Sequence, residues 1–326
     1  VAKIVGDSKQ MRMVRSKITQ FCQAEFDMDD TQAPTVLITG ETGIGKELVA
    51  KAFHYDGPRK EQPFIEINCA SIPGHLLEAE LFGYERGAFT DAKQRKIGLV
   101  DAADGGTLFL DEIGEMELPL QAKLLTLLEN RKIRRLGSVN DMDVNIRIIA
   151  ATNQELESLV AKGSFRSDLY FRLKVIHLNL PPLRERGDDI LQLADFFLHD
   201  HARRYRKQGL EFSKSSYDKL FAYDWPGNVR ELKNTLEQAV LLCGSDSIQP
   251  EHLMIKAQTA EPVTPSLASS SPSAPQPSMN LQENEIILIT SALEQTSGNI
   301  SRAANLLGLS RDTLRYRLGK YHINPD

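Results

Sequence analysis

Along residues 1–182 the apolar positions gather into short runs set between longer amphipathic stretches. The runs are TVLITG (35–40), PFIEIN (63–68), GTLFLDE (106–112), IRIIAATN (146–153) and KVIHLNL (174–180). Near-continuous apolar runs of this length, closed by turn residues, predict strands covered on both faces, as in a mostly parallel sheet. The text between them has helical periodicity, LPLQAKLLTLLEN (118–130) being the clearest case. Strands alternating with helices predict an α/β subdomain over 1–182.

After PPLRERGDD the strand signal stops. Three helical patterns, near 187–206, 214–222 and 227–242, predict a small helical subdomain over 183–255. Residues 256–279, KAQTAEPVTPSLASSSPSAPQPSM, are rich in Pro, Ser and Ala and nearly free of large apolar side chains, which predicts a disordered linker. Residues 280–326 return to helical patterning and predict a small all-α domain. Within it Ala303, Ala304, Leu306 and Leu307 pack one helix, Gly308-Leu309-Ser310 forms a turn, and Leu314 and Leu318 repeat four residues apart on a second helix from about Arg311. That is the layout of a helix-turn-helix, whose second helix enters the DNA major groove.

Composition narrows the class. The 326 residues are 41% apolar and 25% charged, ordinary for a folded soluble protein. No run approaches the roughly 18 apolar residues of a membrane span, and VAKIVGDSKQ (1–10) has no apolar leader, so a cytoplasmic protein without a membrane partner is expected. Cys22, Cys69 and Cys243 are few and far apart, as expected of reduced thiols. His199 and His201 are two apart on a predicted helix and share no face for a metal. The net charge is −5, yet between Asn299 and Lys320 five basic residues face the single acidic Asp312. This asymmetry predicts double-stranded DNA as a partner of the C-terminal end alone. Ser310, Arg311, Thr313 and Arg315 are candidates for base or phosphate contacts, and Arg302, Arg317 and Lys320 for phosphates. For any one of these arginines a solvated face is the alternative.

GETGIGKE (40–47) follows a predicted strand and opens a helix, the setting of a phosphate-binding loop. Gly40, Gly43 and Gly45 let the backbone of Gly40, Glu41, Thr42, Gly43, Ile44, Gly45 and Lys46 turn N–H groups toward phosphate oxygens, and Lys46 brings a charge to the β- and γ-phosphates. The following position, where a hydroxyl that helps hold Mg2+ is expected, is Glu47; Thr42 or water could take that part. In GGTLFLDE, Asp111 at the strand end is placed to hold Mg2+ and Glu112 to orient the attacking water. A surface salt-bridge role is the alternative for these two carboxylates, and the loop upstream weighs against it. ATP and Mg2+ are the expected cofactors.

GETGIGKELVAKAFH, FIEINCASIP, ELFGYERGAFTDA, GGTLFLDEIGEM, FRSDLYFRL and WPGNVRELKN together resemble the AAA+ domain of bacterial enhancer-binding proteins, the NtrC-type activators of sigma-54 RNA polymerase. The C-terminal helices resemble the Fis-type domain of the same family. The resemblance implies an ATPase that assembles as a ring, usually a hexamer, with nucleotide sites at subunit boundaries. It implies that Asn68 restrains Glu112, that Asn153 senses the γ-phosphate, that Arg230 reads it from the helical lid, and that Arg166 and Arg172 reach the neighbouring subunit's ATP. Taken from the residues alone, Arg166 and Arg172 would instead make surface ion pairs with Asp168 or a neighbour.

The same resemblance assigns GAFTDA, Gly87, Ala88, Phe89, Thr90, Asp91 and Ala92, to contact with sigma-54. The family usually writes this loop GAFTGA, so Asp91 puts a charged side chain at a position where glycine can take positive φ, a departure that bears on both loop flexibility and the contact. A second loop, 133–145, is expected beside it. The implied function is an ATP-hydrolysing activator that binds upstream DNA and remodels sigma-54 polymerase to open promoters. The rival is an ATP-gated DNA-binding regulator, a repressor or an activator of another polymerase form, whose sigma-54 contact is weakened by Asp91.

Overall fold

The structure, a computed structural model, describes residues 4–26, 33–207, 209–244, 246–255, 289–293, 296, 299–307, 309 and 311–321. The 256–279 segment read as a linker lies outside the described residues. The chain divides into two compact units, Val1–Thr259 and Ala260–Asp326.

The first unit opens with helix α1 (Lys9–Phe26) and continues through β1 (Val36–Thr39), α2 (Lys46–Tyr55), β2 (Phe64–Asn68), α3 (Gly74–Phe82), α4 (Leu99–Ala102) and β3 (Thr107–Asp111). Next come α5 (Leu118–Asn130), the short strands β4 (Lys132–Arg134) and β5 (Asp141–Asp143), β6 (Arg147–Thr152), α6 (Leu156–Ala161), α7 (Ser167–Leu173) and β7 (Ile176–Asn179). The five longer strands form one sheet in the order β2-β3-β6-β1-β7, and every neighbouring pair is parallel. All five expected strands are therefore present, and the fold class is α/β as read.

Alternation along each strand feeds two cores. Leu37, Leu108, Leu110, Ile148 and Ala150 pack on one face with residues of α3, α5 and α7. Val36, Ile38, Phe109, Ile149 and Ala151 pack on the other with α1 and α2. All six residues of β6 are buried, as a central strand covered on both sides requires. At the N-terminal foot of this strand Arg147 is 1% exposed, pairs with Glu25 of α1 at 2.7 Å and lies over the Phe53 ring. The opposite, C-terminal edge of the sheet carries Asn68, Asp111 and the loop after β1, so the expected site residues converge there.

The helical part of this unit contains α8 (Asp189–Arg204), α9 (Lys214–Ala222) and α10 (Asn228–Leu242), with the two-residue strands β8 (Glu211–Phe212) and β9 (Ser247–Ile248) pairing in parallel. Its core surrounds Trp225, which is fully buried and donates its indole N–H to the Leu220 carbonyl at 2.9 Å.

In the second unit the helices Ile300–Leu306 and Arg311–Tyr321 pack Ala303, Ala304, Leu314 and Leu318 together with Ile289, Ala292 and Leu293. Asn299 caps the first helix by accepting from the Ser301 and Arg302 amides, each at 3.2 Å. Arg302, Arg311, Arg315 and Lys320 are exposed, and Thr313 and Arg317 are half-buried. Ser310 lies outside the described residues, as does Gly308 of the expected turn.

Candidate functional site

The phosphate-loop candidate runs from β1 into α2. Gly40, Gly43 and Gly45 all have positive φ, 153°, 76° and 105°, backbone that glycine adopts without a Cβ penalty. Gly43 has a second requirement: a Cβ there would strike the Gly227 carbonyl and the Arg230 Cβ, while the Arg230 amide donates to the Gly43 carbonyl at 3.1 Å. Lys46, 7% exposed, curls back under the loop to donate to the Gly40 carbonyl at 3.0 Å, and stands 3.6 Å from Glu112 Oε1.

Parallel pairing of β2 with β3 sets Asn68 opposite Asp111. Asp111 is half-buried, and its carboxyl is pushed up first by burial and then by the neighbouring Glu112 charge, with Lys46 acting against both. Glu112 takes left-handed backbone, φ 52°, and its Oε2 accepts from the Asn153 amide at 3.2 Å. The Asn153 side chain in turn donates to Thr42 Oγ1 at 2.8 Å. Asn68 accepts from the Ala70 amide through its side-chain Oδ1 at 2.9 Å and borders the same cleft as Glu112. A non-glycine residue in left-handed backbone at the mouth of a cleft is a local strain that function explains better than stability does.

Thr42, Lys46, Asn68, Asp111 and Glu112 line one cleft of about 660 Å³, with Arg230, Arg204, Lys233 and Glu237 on its lid wall, and Asn153 meets it through its bonds to Thr42 and Glu112. Arg230 is exposed and makes no ion pair among the described residues. Glu47 also borders the cleft, but its carboxylate pairs with Lys51, which reaches Glu66 at 3.2 Å as well. Glu41 points elsewhere. It takes a bidentate pair with Arg184 at 2.6 and 2.9 Å and a hydrogen bond from Asn228 at 2.9 Å, and these hold its carboxyl at about 2. Its side chain thus ties the loop to the lid, and only its backbone is available to a phosphate.

Sequence reasoning missed a second cavity of about 540 Å³. Its walls share Ile44, Gly45, Leu48 and Val229 with the cleft, and the rest is largely apolar: Ile4 and Val5 on one side, Leu193, Phe196 and Phe197 on the other. The apolar pair Ile4-Val5 ahead of Gly6 was its only trace in the text, and nothing local says that this pair meets α8.

Arg166 and Arg172 do not line the cleft. Arg166 forms a two-pronged pair with Asp168 at 2.7 and 3.0 Å, the local partner read from the residues, and both groups are over two-fifths exposed. Arg172 is exposed and donates to the Leu128 carbonyl at 3.3 Å. Within one chain neither arginine is brought to Lys46 or Glu112.

GAFTDA closes on itself through the Gly87 amide on the Ala92 carbonyl, 2.8 Å, and the Ala92 amide on the Phe89 carbonyl, 3.0 Å. Phe89 is 44% exposed and meets the Tyr84 ring edge-on at 4.9 Å; Thr90 and Asp91 are exposed and Ala92 is buried. Among residues with positive φ this loop contributes only Gly87, so position 91 has backbone open to any residue and Asp91 brings no conformational strain. The 133–145 loop lies alongside, as expected: the Glu85 amide donates to the Leu136 carbonyl at 2.9 Å, and Arg135, 8% exposed, bridges Glu85 and Asp101.

Residues 4–179 match the sigma-54 interaction domain, 184–270 the AAA+ ATPase lid domain, and 281–321 the Fis family of bacterial regulatory proteins. The regulatory protein AtoC of Escherichia coli is 46% identical over 295 residues, 89% of this chain and 63% of AtoC. The transcriptional regulatory protein ZraR of Klebsiella oxytoca is 43% identical, over 97% of this chain and 68% of ZraR. The chain thus spans under two thirds of the length of AtoC. Crystal structures of NtrX from Brucella abortus, in complex with ADP and with ATP, superpose with a TM-score of 0.70 at 31% and 30% identity, covering 99% and 98% of this chain and 70% of NtrX. From the sheet order to the helical lid and the C-terminal helix pair, the chain belongs to the sigma-54 interaction-domain family of AAA+ transcription regulators.

Proposed function

We propose that the chain is an ATP-hydrolysing transcription activator that binds upstream DNA and uses hydrolysis to remodel sigma-54 RNA polymerase. One observation carries the reading: Lys46, Glu112, Asn153 and Thr42 are joined in a chain of contacts around a phosphate loop whose lid presents Arg230. In this reading the loop amides and Lys46 bind the β- and γ-phosphates, the apolar cavity takes the adenine, and Glu112 accepts a proton from a water aligned with the γ-phosphate. The Asn153 backbone amide holds the Glu112 carboxylate, and the Asn153 side chain, which rests on Thr42, turns to the γ-phosphate when nucleotide is bound. Asn68 and Arg230 report the phosphate state from the sheet edge and the lid.

The donor set suits Mg2+, which binds through one or two carboxylates plus substrate phosphates. Asp111 is half-buried beside Glu112, and a cation would offset the burial and the Glu112 repulsion that together push its carboxyl up. Mg2+ would supply charge neutralisation of the phosphates. Exposed Arg166 and Arg172, remote from their own cleft, suit a ring in which each subunit completes its neighbour's site, usually a hexamer. Half-exposed Phe89 with Thr90 suits the sigma-54 contact. The exposed basic side chains of the last helix suit double-stranded DNA. We read the chain as an ATPase subdomain (1–182), a helical lid (183–255), a linker (256–279) and a DNA-binding domain (280–326). Among the described residues no helix is long and apolar enough to cross a membrane, in keeping with a cytoplasmic regulator.

The test is Glu112→Gln. The variant should bind ATP with near-normal affinity, since Lys46 and the loop remain, and turn it over at least about a hundredfold more slowly. Turnover near wild type would remove Glu112 from the chemistry and the reading with it.

A further inference from the structure

We infer that Asp189, outside every recognised nucleotide motif, is a positioning residue for the base pocket: it clamps residues 4–8 against α8 so that Ile4 and Val5 close the apolar cavity beside the phosphate loop. The inference rests on the nucleotide reading above. Asp189 is the first residue of α8 and is 1% exposed. A buried carboxylate needs partners, and its recorded side-chain hydrogen bonds all come from the N-terminal segment: the Asp7 amide at 2.6 Å, the Ser8 amide at 2.7 Å and the Ser8 hydroxyl at 2.6 Å, while the buried Arg186 of the cavity wall faces it as a countercharge. Gly6 makes this approach possible. Its φ is 120°, and a Cβ there would lie 2.5 Å from Asp189 Oδ2.

The other side of the segment is held independently. Arg15 of α1 donates to the Ile4 carbonyl at 3.1 Å and to the Gly6 carbonyl, and pairs with Asp7 at 2.7 Å. Ile4 and Val5, immediately ahead of the clamp, line the cavity opposite Leu193, Phe196 and Phe197. These three lie four to eight residues after Asp189, along the same helix. One carboxylate therefore sets the distance between the two apolar walls, while no recorded hydrogen bond joins it to the phosphate loop. Loosening it should weaken contacts with the base, which are equal in ground state and transition state. The chemistry at the phosphates should be left alone.

The experiment is steady-state ATPase kinetics on the full chain at saturating protein, with ADP as competitor. Asp189→Ala should raise KM for ATP and the ADP inhibition constant by the same factor, about tenfold or more, with kcat near wild type. Asp189→Asn keeps one acceptor oxygen for the two amides and should recover part of the affinity. Gly6→Ala and Ser8→Ala perturb the clamp from the other side and should move KM in the same direction, Ser8→Ala least; they carry the test should Asp189→Ala fold poorly. A KM within about twofold of wild type in both Gly6→Ala and the folded Asp189 variants, or a fall in kcat with KM unmoved, would overturn the clamp. A wild-type chain that binds no adenine nucleotide would overturn the nucleotide reading first, and the clamp with it.

Discussion

Replacing Phe89 with alanine separates a contact residue from a core residue by magnitude alone. A fully buried Phe→Ala change costs about 3–5 kcal/mol. Phe89 is 44% exposed and its aromatic partner is the Tyr84 ring, edge-on at 4.9 Å. Burying a little over half of the side chain and making one ring pair are together worth about 1.5–3 kcal/mol. Phe89→Ala should therefore shift the urea midpoint only modestly, leave basal ATPase turnover close to wild type, and abolish both stable binding of sigma-54 under ATP transition-state-analogue conditions and promoter opening. The denaturation curve and the binding assay read different things, so each can fail alone. A loss of about 4 kcal/mol or more would show that the ring belongs to the core in solution. Promoter opening at the wild-type rate would show that the ring touches nothing that matters to the polymerase.

Other expectations follow from particular contacts. Asp91→Gly should preserve or improve sigma-54 engagement in a pull-down, through removal of an exposed charge and not through relief of backbone strain, since Asp91 lies outside the positive-φ region; binding by Asp91→Gly alone, with wild type inert, would favour the ATP-gated regulator. Arg166→Ala or Arg172→Ala should lower turnover, and mixing either with Lys46→Ala should restore part of it at mixed interfaces; no recovery in any mixture would argue against shared sites. The Glu41 carboxyl, held at about 2 against an ordinary 4.5, stabilises the protein above pH 4.5, and this share is lost as pH falls toward 2. Because Glu41 and Arg184 are about two-fifths exposed, that share is about 1 kcal/mol at most, and acid titration of Arg184→Ala should show it missing. Burial pushes the Cys69 thiol up to about 12, so a thiol reagent at pH 8 should modify it only after unfolding.

Much of the fold was legible because its signals are local. Five apolar runs became the five strands of the parallel sheet, and the phosphate loop was readable because its glycines, lysine and following helix fall within eight residues. The unread parts depend on pairings between distant positions. Arg184 meets Glu41 across 143 residues, and Asp189 meets Ser8 across 181. Neither pairing leaves a periodic trace. Helix α1 had its buried Met11, Val14, Ile18 and Cys22 at helical spacing, but charged neighbours diluted the pattern. The short β4–β5 pairing lay hidden in what read as a loop, because three-residue strands give too little alternation to see. Asp91 looked like a conformational departure because the family writes glycine there; the backbone geometry leaves only its charge to consider.

The seam between Gly43 and the lid makes this glycine a hinge pin as well as part of a phosphate cradle. Its φ of 76° serves the anion, but its bare Cα serves the lid, which rests on it through the Gly227 carbonyl and the Arg230 stem. A methyl group at this spot would act as a wedge between two bodies, propping the lid away from the nucleotide whether or not phosphate can still bind. Gly45, with nothing within 4 Å of the same imagined atom, has no such second duty. Two glycines two positions apart within one motif thus answer to different masters: the first to the lid that rests on the loop, the second to backbone torsion alone.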